Sequence, residues 1–321
     1  MQNKANEIGG IDMKYGLIKD ANGNSHRLSK LILGTVPFGS VMSKEDSFEA
    51  MDLYTKSGGN VIDTARVYST WLPGGANASE TCVGEWLKAR NNRKEIVLIT
   101  KGGHPPFDDI HNSRLSPAEI RSDFSESLRY LQTDDVDIYF LHRDDESIPV
   151  DVMMDTLHEF VAEKKVKMLG ASNWKLSRIL EANEYAKANG KTPFSVSEIQ
   201  WSYVHCTNET LMDDTLVCMD DKEYDRYLKA GIPVFAYSSQ GHGVFSRGYK
   251  ADLSDIEEKN RAFYNDENIG RYQSLLARCE KENKTPSEIV LNYIMENELN
   301  SFAIVGCSRL SQLQDSLQAA K

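Results

Sequence analysis

The sequence is short of the features that mark membrane, secreted or nucleic-acid-binding proteins. It has no apolar run near the ~18 residues that a membrane span requires. The opening stretch, Met1 to Gly16, lacks an apolar segment followed by a small-residue cleavage site, so no secretory leader is expected. There are only five cysteines, and Cys82, Cys206, Cys218, Cys279 and Cys307 are scattered rather than closely paired. That spacing argues against a disulfide or zinc framework and predicts reduced thiols in a cytoplasmic protein. Positive charge is in the minority, with 37 Lys+Arg against 48 Asp+Glu and a formal net charge of −11. Phosphate contacts need clustered Lys and Arg, so neither nucleic acid nor an anionic membrane surface is an expected partner. No Pro/Gly/Ser linker, low-complexity tract or composition shift divides the chain, and residues 1–321 are expected to form a single domain. A small-molecule partner is the remaining class.

What the chain does contain is an alternation of short β-branched runs with longer amphipathic stretches. Strands are expected at Leu31–Gly34, Asn60–Asp63, Glu95–Thr100, Val136–Leu141, Val166–Ala171, Val196–Gln200, Pro233–Tyr237 and Phe302–Val305. Helix starts are marked by Ser116-Pro117-Ala118-Glu119 and Thr285-Pro286-Ser287-Glu288, both capping boxes with proline at the first helical position. Gly58-Gly59 and Gly190 fall where helices should end. Strand followed by helix, about eight times over, is the arithmetic of a (β/α)8 TIM barrel, an α/β fold. The rival is a doubly wound sheet, but no G-x-G-x-x-G follows the first strand. The turn signal Ala21-Asn22-Gly23-Asn24 predicts an N-terminal β-hairpin within Met13–Leu31, closing the barrel bottom. Ser246–Asn268 is polar and strandless, and is expected to be a lid or an irregular excursion among the long loops of the C-terminal face.

In such barrels chemistry is built at the C-terminal strand ends. Asp63 ends the second expected strand, with Tyr68 just beyond, Lys101 follows the third, and His142 follows the fourth. A phenol is a poor acid at neutral pH unless something stabilises its anion. A nearby ammonium can do so, a carboxylate can fix that ammonium, and a histidine can orient a substrate oxygen. Together these four groups suit proton delivery to a carbonyl oxygen, with no evident nucleophile. A metal site is the competitor, through His142 with Asp144 and Asp145 or through His104 and His111. The other strand ends, however, offer Lys, Tyr, Asn and Gln, so no metal is expected. Trp71, Trp174 and Trp201 fall in strand-end loops, where tryptophan either packs the loop or lines a pocket, and they are candidate substrate-pocket residues. Trp86, with Val83 and Leu87, reads as a buried helical stripe. Cys206 and Cys307 are expected to be inert.

Gly59-Asn60-Val61-Ile62-Asp63-Thr64-Ala65-Arg66-Val67-Tyr68 resembles the aldo-keto reductase signature. Thr100-Lys101, Leu141-His142-Arg143-Asp144-Asp145 and Gly170-Ala171-Ser172-Asn173 match later motifs of that family in order. Ala236 to Gly243 and Ile304 to Arg309 complete the series, and the resemblance runs from Leu33-Gly34-Thr35 to the C-terminus. It implies a (β/α)8 barrel that reduces aldehydes or ketones with NADPH or NADH and without a metal. Tyr68 then matches the proton donor, Lys101 and Asp63 the pair that tunes it, and His142 the group that orients substrate. Ser172, Asn173 and Gln200 match the side chains that hold the nicotinamide amide, and Tyr237 the ring stacked on it. Ser238, Gln240 and Gly243 fall in the pyrophosphate loop. Gly306, Ser308, Arg309 and Gln312 fall at the adenosine end, and Thr35 is also among the cofactor-binding positions.

Several departures qualify the match. Ser69–Ala78 intervenes before Ser79-Glu80, where many members have a short loop, and this insertion should reshape the substrate pocket. Ser239-Gln240 stands where Pro-Leu is common, Asp315-Ser316 where Glu-Asn is usual, and Gly306 where a lysine often grips the 2′-phosphate. Arg309 is then the expected phosphate partner, and NADP(H) is preferred over NAD(H). The polar, tryptophan-bearing surroundings point to a sugar-like or polyol-type substrate rather than a steroid. The alternative function is a nucleotide-sensing binding subunit with little turnover, as channel-associated members of the family would permit.

Overall fold

A computed structural model describes residues 13–211, 213–248 and 258–321 of the chain. The hairpin comes first, with β1 (Tyr15–Lys19) antiparallel to β2 (Ser25–Ser29). Its turn forms because the Asp20 carboxylate accepts from the backbone N–H groups of Asn22 and Asn24, both at 2.9 Å, while Gly23 takes the left-handed backbone the turn needs.

The barrel strands are β3 (Leu31–Gly34), β4 (Val61–Asp63), β5 (Val97–Gly102), β6 (Val136–Leu141), β7 (Val166–Ser172), β8 (Phe194–Gln200), β9 (Val234–Tyr237) and β10 (Ser301–Gly306). They pair in parallel and in chain order, and β10 closes on β3. The helices that cover them are α1 (Lys44–Lys56), α2 (Ala78–Arg90), α3 (Pro117–Leu131), α4 (Val150–Ala162), α5 (Leu176–Ala188), α6 (Asp221–Ala230), α7 (Asp266–Glu282), α8 (Pro286–Met295) and α9 (Leu310–Ala319). This is the expected (β/α)8 barrel with its hairpin. Both capping boxes form: the Ser116 hydroxyl accepts from Glu119 N and the Thr285 hydroxyl from Glu288 N, each cap worth about 1 kcal/mol. Of the expected boundaries, β5 starts later than foreseen because Arg93–Glu95 forms a 3-10 turn. No helix among the described residues is long and apolar enough to cross a membrane.

Strand periodicity divides the apolar residues into two cores. Leu31, Leu33, Leu98, Tyr139 and Leu141 face the helices and join a large shell cluster that includes Val83, Trp86 and Leu87. Ile32, Val61, Ile99, Phe140, Met168, Val196, Phe235 and Phe302 face inward and fill the lumen. Ile18 and Leu28 of the hairpin join the lumen cluster, so the hairpin stoppers the barrel floor, each buried aliphatic contributing about 1.5–3 kcal/mol. The same period sets what lies above the apolar layer. Two residues beyond Val61 is Asp63, beyond Ile99 is Lys101, beyond Phe140 is His142, and beyond Val196 is Glu198. All four are buried. An apolar lumen thus ends in a ring of ionisable side chains.

Candidate active site

Lys101 is the centre of that ring. Its ammonium is fully buried and donates to Asp63 Oδ1, to Tyr68 Oη at 2.9 Å and to the Thr64 carbonyl at 3.3 Å. Tyr68 Oη in turn lies 3.3 Å from Asp63 Oδ2. Tyr68 arrives from the turn after β4, which is stitched to the neighbouring strand by Thr64 N to Ile99 O at 3.0 Å and Arg66 N to Lys101 O at 3.1 Å. The His142 ring meets the Tyr68 ring edge-on, with centroids 5.9 Å apart. The four residues read from the sequence as a proton-delivery group therefore converge.

Electrostatics fixes their protonation states. Burial alone would lower the Lys101 ammonium, but the Asp63 carboxylate in contact with it outweighs burial and holds it charged. Burial, reinforced by the Asp63 carboxylate, lifts the Tyr68 phenol above its ordinary range against the pull of Lys101. Tyr68 thus rests protonated, and the lysine acts on the phenolate once it forms. Burial, with the positive fields of His104, Arg143 and Lys101, pushes the His142 imidazole well down, so it is neutral at physiological pH. Its Nδ1 is buried without a hydrogen-bond partner among the described residues.

Glu198 is the residue that sequence reasoning missed. One of its oxygens lies 3.4 Å from Lys101 Nζ, and the other has no partner among the described residues. The signal was available: it shares the inward face of β8 with Val196, and a carboxylate on that face must meet whatever ends β5.

A cavity of about 650 Å³ opens above this cluster. Asp63, Tyr68, His142, Ser172, Asn173, Glu198 and Tyr237 line its inner part, with Val36, Pro37, Arg143 and Leu216 beside them. Tyr237 Oη donates to Asn173 Oδ1 at 2.7 Å, and Asn173 sits in left-handed backbone with its amide given to the His142 carbonyl at 3.3 Å. Ser238, Gln240, Gly243, Ser246 and Arg247 line the middle. There Ser238, Gly241, His242 and Gly243 all have positive φ, and the turn is closed on itself by Gly241 N to the Ser238 carbonyl at 2.7 Å and Gly243 N to the Gln240 carbonyl at 2.9 Å. At Gly241 a Cβ would stand 2.5 Å from Val204 Cγ2, so that turn tolerates no side chain. Gly306, Ser308, Gln312 and Asp315 line the outer part, at the N-terminus of α9.

The size of the cavity and the partnerless buried atoms His142 Nδ1 and Glu198 Oε2 at its inner end fit a dinucleotide with its nicotinamide inward. Ser172, Asn173, Tyr237, Ser238, Gln240, Gly243, Gly306, Ser308 and Gln312 all line this cavity. Other expectations change. Gln200 is not on this cavity: the last residue of β8, it is paired with Tyr237 of β9, its backbone also bonds to Val217 and Met219, and its amide donates to Cys206 Sγ at 3.3 Å. Glu198 takes the place on the wall. Thr35 is buried behind the wall, donating to the Asp63 carbonyl at 2.9 Å and bonded to Ser79 Oγ at 2.8 Å, so it braces two loops. Arg309 is exposed beside Ser308 and outside the cavity wall.

The tryptophans scatter. Trp174 is fully buried, with its indole N–H on the Arg143 carbonyl at 3.0 Å, and it packs the core rather than lining a pocket. Trp201 borders a separate cavity of about 320 Å³ with Gln200, Cys206 and Cys218. In that cavity the hydrogen bond from Cys218 draws the Cys206 thiol down to about 7, whereas burial pushes Cys307 up to about 11. Of the three, Trp71 alone is joined to the His142 side of the cavity, 47% exposed and edge-on to Phe107 with centroids 5.3 Å apart. His104 links Phe107 (4.9 Å) to His142 (4.9 Å). Asp144 and Asp145 turn away from His142 towards Arg178 and Ser147. Of the expected lid, Ser246 and Arg247 border the cavity, residues 249–257 lie outside the described residues, and Asn268 is anchored to the body through His205 N at 2.7 Å.

Comparison with known proteins agrees with this architecture. The model of the Aldo/keto reductase family matches residues 30–321. The chain is 31% identical over 316 residues to a norsolorinic acid reductase of Aspergillus flavus, covering 91% of this chain and 74% of that one. It is 29% identical over 314 residues to the aldo-keto reductase ausK of Aspergillus calidoustus, covering 91% and 75%. A putative aryl-alcohol dehydrogenase of Saccharomyces cerevisiae, AAD14, is 27% identical over 325 residues, covering 91% and 79%.

Proposed function

This chain belongs to the aldo/keto reductase family, as an oxidoreductase acting on carbonyl and alcohol groups, and we propose that Tyr68 is its proton donor in the NAD(P)H-dependent reduction of an aldehyde or ketone, or the acceptor in the reverse oxidation. The observation that carries this reading is Lys101, wholly buried, held by Asp63 and donating to Tyr68 Oη at 2.9 Å. The cofactor, when bound, supplies the hydride for the carbonyl carbon. The chain's own part is to place the carbonyl oxygen between Tyr68 Oη and the neutral His142 ring. The O–H bond of Tyr68 breaks as the substrate oxygen takes its proton, and Lys101 compensates the phenolate left behind. Such proton delivery contributes about 10²–10⁴-fold in rate.

Ser172, Asn173 and Tyr237 would hold the nicotinamide end, the turn at Ser238–Gly243 the pyrophosphate, and Gly306, Ser308 and Gln312 the adenosine end. Arg247 lines the cavity and Arg309 adjoins Ser308 on its outer wall, which supports NADP(H) over NAD(H), while Asp315 on the wall works the other way. For the substrate, the wall of Val36, Pro37 and Leu216 and the Trp71–Phe107 edge favour a carbonyl on an apolar or aromatic body over the sugar-like one expected from the sequence. Relatives named for norsolorinic acid and for aryl alcohols support the same choice. The assembled proton-delivery group favours turnover over the binding-subunit reading.

The test is Tyr68→Phe, assayed by cofactor oxidation with a panel of aryl aldehydes and aldoses. A kcat loss of about 10²–10⁴-fold with nucleotide binding retained is expected, and unchanged turnover would remove Tyr68 from its role. Aryl aldehydes should exceed aldoses in kcat/KM by about tenfold or more, and the reverse order would restore the sugar-like reading.

A further inference from the structure

Glu198 is a second carboxyl on an ammonium that already has one. It lies in the lumen one layer above Val196, 2% exposed, and lines the cavity beside Ser172, Asn173 and Tyr237. Lys101 from β5 and Asp63 from β4 face it, as does Arg143 after β6, and the titratable groups His142, Tyr68 and Tyr237 stand around the same space. Counting charge decides its state. The Arg143 guanidinium is shared with Asp213, at 3.7 Å, so one ammonium between two carboxyls leaves a net negative charge if both ionise, and an uncompensated buried charge is strongly unfavourable. Asp63 keeps its charge, because it is the closer contact to Lys101 and also takes the Tyr68 hydroxyl. Glu198 is farther from the ammonium, with one oxygen unpartnered among the described residues, and so holds the proton. Burial, against the pull of Lys101, accordingly pushes its carboxyl up to about 8.

We propose that Glu198 couples nicotinamide binding to a proton: it keeps its proton beside the neutral, reduced ring and releases it to solvent when the cationic, oxidised ring binds. The inference rests on the nicotinamide-nucleotide reading above. A positive charge brought against a buried carboxyl favours the ionised form. Below the pH at which the oxidised complex itself would protonate, Glu198 carries its proton with either nucleotide. Well above its own range it is ionised with either. Between those limits only the oxidised nucleotide expels a proton, so its affinity relative to the reduced form rises by up to about tenfold per pH unit. The balance is one carboxylic acid converted to a carboxylate with the proton passed to buffer, and nothing is oxidised or reduced in the step.

Calorimetric titration of the whole protein with NADP⁺ and, separately, NADPH near neutral pH, in phosphate and in Tris, reads the protons exchanged from the buffer dependence of the heat. The greater part of one proton should leave per oxidised nucleotide and little with the reduced one, and Glu198→Gln should abolish the difference. Infrared difference spectra of the wild-type protein supply a readout that needs no variant: a protonated carboxyl band should disappear on adding NADP⁺ and persist with NADPH. Equal proton release with both nucleotides, or a release that survives Glu198→Gln, would overturn the proposal while leaving the reductase reading intact. Failure of either nucleotide to bind would bring down both.

Discussion

The two ends of the cavity are built on opposite principles. At the inner end Asp63, Lys101, Glu198, Tyr68 and His142 are buried or nearly so, rigidly linked, and stand on barrel strands or on a turn stitched to them. At the outer end Gly306, Ser308, Gln312 and Asp315 are exposed, and the Gln312 side chain itself caps the free amides of Ser308, at 2.9 Å, and Arg309, at 3.2 Å. The inner end is organised in advance of any ligand, at the cost of burying charge. The outer end keeps its charges in water. Chemistry gains from fixed dipoles in a dry site, whereas gripping a phosphate needs only a few exposed cations and amides, each worth little alone. The −11 net charge matters less than where the few cations stand.

Removing the inner keystone tests this contrast most severely. Lys101→Met leaves the buried Asp63 carboxylate without its counter-charge, and a loss of about 3–5 kcal/mol in unfolding stability is expected from urea titration. The sign with pH follows from both carboxyls being raised in the folded state. The native protein then binds more protons than the unfolded chain, so the variant's deficit should be small in acid and grow as pH rises through the folded values. A variant as stable as wild type at alkaline pH would mean the inner end is not organised by charge. A smaller effect is expected at the outer end, where Arg247→Ala or Arg309→Ala should weaken NADPH binding by about tenfold. The change should appear in the nucleotide Kd more than in kcat, and a larger effect on kcat would erase the division between the two ends. Trp71→Ala should raise KM for an aryl aldehyde about three- to tenfold through lost stacking, read from initial rates. Least of all, Asp315→Asn should improve NADPH relative to NADH about two- to threefold, an exposed-charge effect that salt should diminish.

Much of the inner end was legible because strand geometry is local. A side chain's face follows from counting by two, so Asp63, Lys101 and His142 could be placed above Val61, Ile99 and Phe140. The same count places Glu198 above Val196. Gln200 has the same parity, and the motif resemblance points to it instead. What the count does not reveal is what meets the end of β8: at Gln200 the backbone also pairs with the 217–219 segment, and the side chain turns to Cys206. Trp174 shows the same limit, since nothing in its neighbours tells that its ring folds inward to meet the Arg143 carbonyl.

The sequence by itself determined the barrel, the floor hairpin, the helix caps and the inward position of the ionisable ring, because each depends on residues within a few positions of one another. Only the tertiary structure decided which inward groups touch. Lys101 reaches Asp63 across 38 residues of chain, and meets Glu198 only once the strands have closed into a cylinder. Distances of that kind depend on strand stagger and loop paths, which no local pattern encodes. Protonation follows from those distances, so the state of Tyr68, His142 and Glu198 is a property of the closed barrel.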